Sequence, residues 1–197
     1  MSFSKILNIF GFYFNNDMSK KFKIILSLGA IICLQMILMS VIAYAFEMSD
    51  AKWFGYLSFL IFIITIVFVQ KYYRDNFYDG YANYSKIFGG TFLMIIVASV
   101  IVFLYTFLFY KFVAPEQIVK MLEMAEINLY EQDKLTQAQI DTAINSMKTY
   151  VFTPIALSLS SVLTTVFQGV IVALVSSIFI KKNPDAFADA MKGIDNE

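Results

Sequence analysis

Four long stretches of this sequence carry no charged side chain: Ile24 to Phe46, Trp53 to Gln70, Ile87 to Tyr110 and Thr153 to Ile180. At about 1.5 Å of rise per residue, ~20 such residues wound as a helix cross a hydrocarbon core of about 30 Å. Lipid offers nothing to bond a free backbone N–H or C=O, so each stretch must satisfy its own backbone as a helix. The run from Trp53 is the shortest, and Trp53 and Tyr56 at one end, with Tyr72 and Tyr73 at the other, supply the amphipathic rings that favour the headgroup level. Pro154 suits the first turn of the last span. The expected fold is an all-α integral membrane protein, a single domain over residues 1–197 built on a bundle of four transmembrane helices.

Composition agrees. The chain is 59% hydrophobic and only 15% charged, more apolar surface than a soluble domain of its length buries. Histidine is absent, which removes the commonest general base and metal ligand. The one cysteine, Cys33, sits in an apolar run without an activating neighbour and reads as lipid-facing or packing filler. No phosphate-binding glycine loop, metal-ligand cluster or nucleophile elbow occurs in its proper setting. Neither an enzyme nor a cofactor is expected, and a net charge of zero gives no reason to expect nucleic acid.

Cytoplasmic flanks collect Lys and Arg. Ten of the fifteen basic residues (Lys5, Lys20, Lys21, Lys23, Lys71, Arg74, Lys86, Lys181, Lys182 and Lys192) fall on the side that holds both termini. Both ends are therefore expected in the cytoplasm. Ala43-Tyr44-Ala45 has the small-x-small form of a leader-cleavage site, but the apolar run before it exceeds the ~7–15 residues of a leader core. An uncleaved anchor is expected.

The segments between spans are amphipathic. Phe3, Ile6, Leu7, Phe10, Tyr13 and Phe14 recur at helical spacing within the N-terminal segment 1–20 and predict a surface helix lying in the interface. Residues 115–148 read as an extracytoplasmic helical hairpin. Ile118, Leu122, Ala125 and Leu129 form the stripe of its first helix, and Ile140, Ala143, Ile144 and Met147 that of its second, which opens on a capping box at Thr136-Gln137-Ala138-Gln139. Residues 183–197 form a C-terminal tail. The inner loop from Lys71 to Gly90 reads as a turn bent at Asp79-Gly80, with basic topology anchors. Arg74 and Lys86 are its candidates for contact with lipid headgroups or a partner.

Inside the spans no ionisable side chain is expected at depth. Gln35 and Gln168 lie near the middle of the first and last spans, where an unpaired amide is costly, and they are candidates to bond each other. Ser158, Ser161, Thr165, Gln168 and Ser176, beside Gly169, form a stripe of small and polar residues expected to be a packing seam. Gly89 and Gly90 suggest a close crossing at the start of the third span.

The elements Tyr73-Arg74-Asp75, Gly80, Ser85-Lys86, Pro154 and Gly169 to Lys181 together resemble the domain of unknown function 4199 family, small membrane proteins of Bacteroidetes. The resemblance implies a bacterial inner-membrane location and an unassigned role, and carries over no catalytic residue. The leading expectation is a non-catalytic accessory or scaffold subunit that binds another membrane protein. The alternatives are passage of a small solute or lipid along the hydroxyl face of the last span in a homo-oligomer, and a role in envelope lipid or polyprenyl-linked metabolism.

Overall fold

A computed structural model describes residues 16–48, 51–131 and 136–182. The expected N-terminal surface helix and the tail 183–197 lie outside the described residues, apart from the start of the first helix. Among the described residues the regular elements are all helices: α1 (Asn16–Ala45), α2 (Lys52–Phe77), α3 (Tyr84–Leu108), α4 (Pro115–Tyr130), α5 (Gln137–Ser146) and α6 (Pro154–Ile180). Four of these, α1, α2, α3 and α6, are long and apolar enough to span a bilayer, and the protein is an all-α multi-pass membrane protein.

The helix ends follow from local chemistry. α1 closes with the Met48 amide donating to the Ala43 carbonyl at 2.8 Å and the Glu47 amide to Tyr44 at 3.2 Å, a Schellman arrangement. Glu47 occupies its left-handed position at φ 54°. α2 runs two turns past Gln70, because the charged residues that end an apolar run need only leave the hydrocarbon, not the helix. Only 78–83 of the expected inner loop is non-helical, and the bend falls at Asp79 (φ 51°) and Gly80 (φ 85°). Asn83 starts α3 by accepting from the Lys86 amide at 3.1 Å, and Thr153 starts α6 by accepting from Ala156 at 3.2 Å. α3 continues into a wide π-type turn, Phe109–Val113, closed by the Ala114 amide on the Phe109 carbonyl at 2.9 Å. A second such turn, Met147–Val151, follows α5.

The chain forms two compact units, one of residues up to Ala98 together with those from Gln168 onward, the other Ser99–Phe167. In the first, helices approach at glycines. A methyl group on Gly29 would stand 2.9 Å from the Met94 carbonyl oxygen, one on Gly169 about 3.0 Å from Ile95, and one on Gly90 against the Tyr73 ring. Small residues allow such approaches where no hydrophobic force drives helices together in lipid. Gly89, by contrast, meets open space. Ile32, Ile66, Val69, Tyr73, Ile87, Met94 and Ile95 are fully buried, and Cys33 packs among the buried residues rather than facing lipid.

In the second unit α4 and α5 are in contact. Their apolar stripes are half-buried, with Ile140 fully so, and the Thr136 amide donates to Gln139 Oε1 at 2.9 Å in the expected capping box.

Candidate functional site

Chemistry-bearing side chains of the first unit gather in two places. One is the junction where α2 ends, α3 begins and α6 ends. The Arg74 guanidinium, 17% exposed, donates from Nη1 to the Ile180 carbonyl at 3.0 Å and pairs with Asp75 Oδ1 at 2.7 Å. Ile180 is the last residue of α6, whose final carbonyls have no partner within the helix. A fixed cation there is favoured by both the free lone pair and the helix dipole. Beneath Arg74, the buried Tyr73 ring lies parallel to Phe77 (centroids 5.5 Å, 6°) and edge-on to Tyr78 (5.4 Å, 82°). Lys86 Nζ stands 5.2 Å over the Tyr78 ring and Lys182 Nζ 5.0 Å over Tyr81. The Lys182 amide closes the junction by donating to the Ala82 carbonyl at 3.0 Å.

Arg74 and Lys86 therefore stand at one end of the unit and both have protein partners. Gln70, one turn inward and fully buried, donates from Nε2 to Ser177 Oγ at 3.0 Å and to the Ala173 carbonyl at 3.3 Å, tying α2 to α6. Sequence reasoning placed Gln70 at the end of a span. The spacing of Ile66, Gln70, Tyr73 and Phe77 at i, i+4, i+7 and i+11 was the signal that the helix and its buried face continue. Replacing Gln70 with methionine, which keeps the volume and removes the bond, is expected to destabilise the protein by about 1 kcal/mol, as interhelical hydrogen bonds in membranes typically do. Thermal unfolding of the variant in detergent checks this.

The second place is a cleft of about 480 Å³ lined by α1, α2 and Gln168 of α6. Gln35 and Gln168 both line it, yet they do not form the bond that their matching depths in the sequence suggested: neither Gln35 Oε1 nor Nε2 has a hydrogen-bond partner, although both are buried. A buried amide in that condition costs roughly 1–3 kcal/mol. The cleft is wide enough to hold the two amides apart, so helix depth alone could not settle their pairing.

Three hydroxyls of the expected seam on α6 bond within that helix. Ser158 donates to Pro154 at 2.6 Å, Ser161 to Ser158 at 2.7 Å and Ser176 to Val172 at 2.7 Å. These hydroxyls bond their own backbone carbonyls rather than reaching across helices. Ser158, Thr165 and Ser176 are buried, Ser161 is half-buried, and Gly169 packs against Ile95.

Neither a curated protein nor a solved structure matches the chain. The family model described as protein of unknown function, DUF4199, matches residues 27–182, a range that takes in the Arg74 junction, the Gln35 cleft and the three glycine contacts of α3, at Gly29, Gly90 and Gly169. The chain belongs to the DUF4199 family of proteins of unknown function.

Proposed function

We propose that this protein is a non-catalytic accessory or scaffold subunit of a bacterial inner membrane, with both termini cytoplasmic, that binds another membrane protein through the extracytoplasmic segment holding α4 and α5. The observation that carries this reading is a second apolar face on α4. While Ile118, Leu122, Ala125 and Leu129 are half-buried, Val119 (55% exposed), Ile127 (57%) and Tyr130 lie open on a different side of the same helix. That helix lies outside the four spans, so its apolar side chains are not accounted for as bilayer-crossing surface. Glu116 and Glu123 fall among them in the helical order, so the face combines apolar anchors with negative charge. Such a face suits a protein partner with a matching apolar patch and basic groups.

The transport reading gains less, because Ser158, Ser161 and Ser176, three of the hydroxyls that would line a path, are bonded within their own helix. The test is crosslinking in the native membrane followed by purification and mass spectrometry. Val119→Lys combined with Ile127→Lys is expected to lower recovery of a stoichiometric membrane partner at least about tenfold, because two buried anchors removed from an interface centre cost more than ~1.4 kcal/mol together. An unchanged set of co-purifying proteins would reject the reading.

A further inference from the structure

The Gln35 cleft combines two independent features: a volume of about 480 Å³, and an amide buried in its wall with no hydrogen-bond partner. The volume lies within the ~300–1,000 Å³ of small-molecule sites, which are mostly apolar with a few placed polar groups. The lining has that character. Met36, Met39, Phe54 and Phe62 supply apolar walls, and Gln35 and Gln168 supply polar groups near the middle of their spans. The lining runs from there to Ala51 and Lys52, at the connection between α1 and α2.

We propose that this cleft is a binding site for an uncharged amphiphile whose head group sets a carbonyl acceptor beside an N–H or O–H donor, as a carboxamide or an undissociated carboxylic acid does. A glutamine amide carries one acceptor oxygen and two donor hydrogens on a single plane, so once the Gln35 side chain turns its enclosed amide into the cleft, such a head pairs with it through two bonds at once. The head must be uncharged, because Lys52, the one charged lining residue among the described residues, sits at the far end of the cleft, and a bare charge at mid-span is expensive. The methionines and phenylalanines then cover the first part of the chain, methionine adapting to its contour. The two bonds satisfy an amide that no protein group pairs, so head-group pairing is the specificity element and the hydrocarbon is not.

Oleamide is the probe, and an alkene of the same chain length is the control that has the hydrocarbon without the head. With purified full-length protein in mild detergent, saturating oleamide is expected to raise the melting temperature by roughly 5 °C, by mass action on the folded state. The alkene should give no such rise. Gln35→Met, close in volume and unable to pair, should lose the oleamide response while unfolding cooperatively. A second measurement needs no variant: a photoreactive oleamide analogue should label wild-type peptides containing Met36–Met39 or Phe54–Phe62, and excess oleamide should suppress that labelling. No rise with oleamide, an equal rise with the alkene, an unaltered response in Gln35→Met, or labelling spread over lipid-facing peptides without competition would each overturn the proposal. The Val119 and Ile127 variant tests a different unit, so loss of the partner reading leaves this result standing.

Discussion

A Gly90→Ala variant is expected to unfold with about 3 kcal/mol less stability than the wild type, at the upper end of the usual range for overpacking a well-filled interior. The added methyl group would fall against the Tyr73 ring, which cannot yield easily. Tyr73 is fully buried, and its ring is held between the parallel face of Phe77 and the edge of Tyr78. Moving it away from α3 would therefore disturb the aromatic cluster that supports the Arg74 junction. A double-mutant cycle isolates this cause. Tyr73→Phe keeps the ring and should give no relief to Gly90→Ala, whereas Tyr73→Leu removes the ring plane and should recover at least about 1 kcal/mol of the loss. Equal penalties for Gly90→Ala in both backgrounds would place the strain elsewhere. Gly89→Ala, next in sequence but facing open space, is the control and should leave stability within roughly 0.5 kcal/mol of wild type.

The contrast between Gly89 and Gly90 also shows what a sequence of this kind discloses. Two adjacent glycines at a helix start announce that helices approach closely, but which glycine faces the neighbour depends on a rotation of 100° per residue that lipid-facing and protein-facing apolar residues do not reveal. In a soluble helix the polar face fixes that rotation. In these spans leucine, isoleucine and phenylalanine occur on both sides, and between 28% and 39% of each apolar window is buried. The spans themselves were legible, because a charge in hydrocarbon is so unfavourable that a long apolar run without one marks a membrane crossing. The capping box at Thr136 was legible for a related reason, since both bonding groups lie within four residues. The partner of Arg74 left no trace, because a backbone carbonyl 106 positions away carries no side-chain signature. Gln35 and Gln168 could be matched in depth but not in the space between them, and that space is what makes the cleft.

For Arg74, two roles make opposite predictions in membranes of different charge. As a cation that caps α6, it acts through the Ile180 carbonyl, and its contribution is internal to the protein. As a headgroup ligand it would act only where anionic lipid is present. The geometry favours the cap. The pairing with Asp75 is partly exposed, with Asp75 40% accessible, and is expected to add no more than about 1 kcal/mol. The charge-assisted bond to the last carbonyl of a helix is the larger part, about 1.5–3 kcal/mol. Arg74→Ala should therefore destabilise the protein by about 2 kcal/mol. Its local signature should be faster amide exchange at Lys181 and Lys182, whose N–H groups bond the Ser177 carbonyl in the last turn of α6 at 3.1 Å and the Ala82 carbonyl across the junction at 3.0 Å. Arg74→Lys should recover less than half of the loss, since an ammonium lacks the planar fork that spans Ile180 and Asp75 together. The decisive comparison is between vesicles of zwitterionic lipid alone and vesicles containing an anionic lipid. If the difference between wild type and Arg74→Ala is the same in both, Arg74 is a structural tie between α2 and α6, and the exposed cations of that end, Lys71 and Lys181 among them, are the ones left to meet the membrane surface. If the difference disappears in zwitterionic vesicles, the Ile180 bond is too weak to matter and the guanidinium works outward.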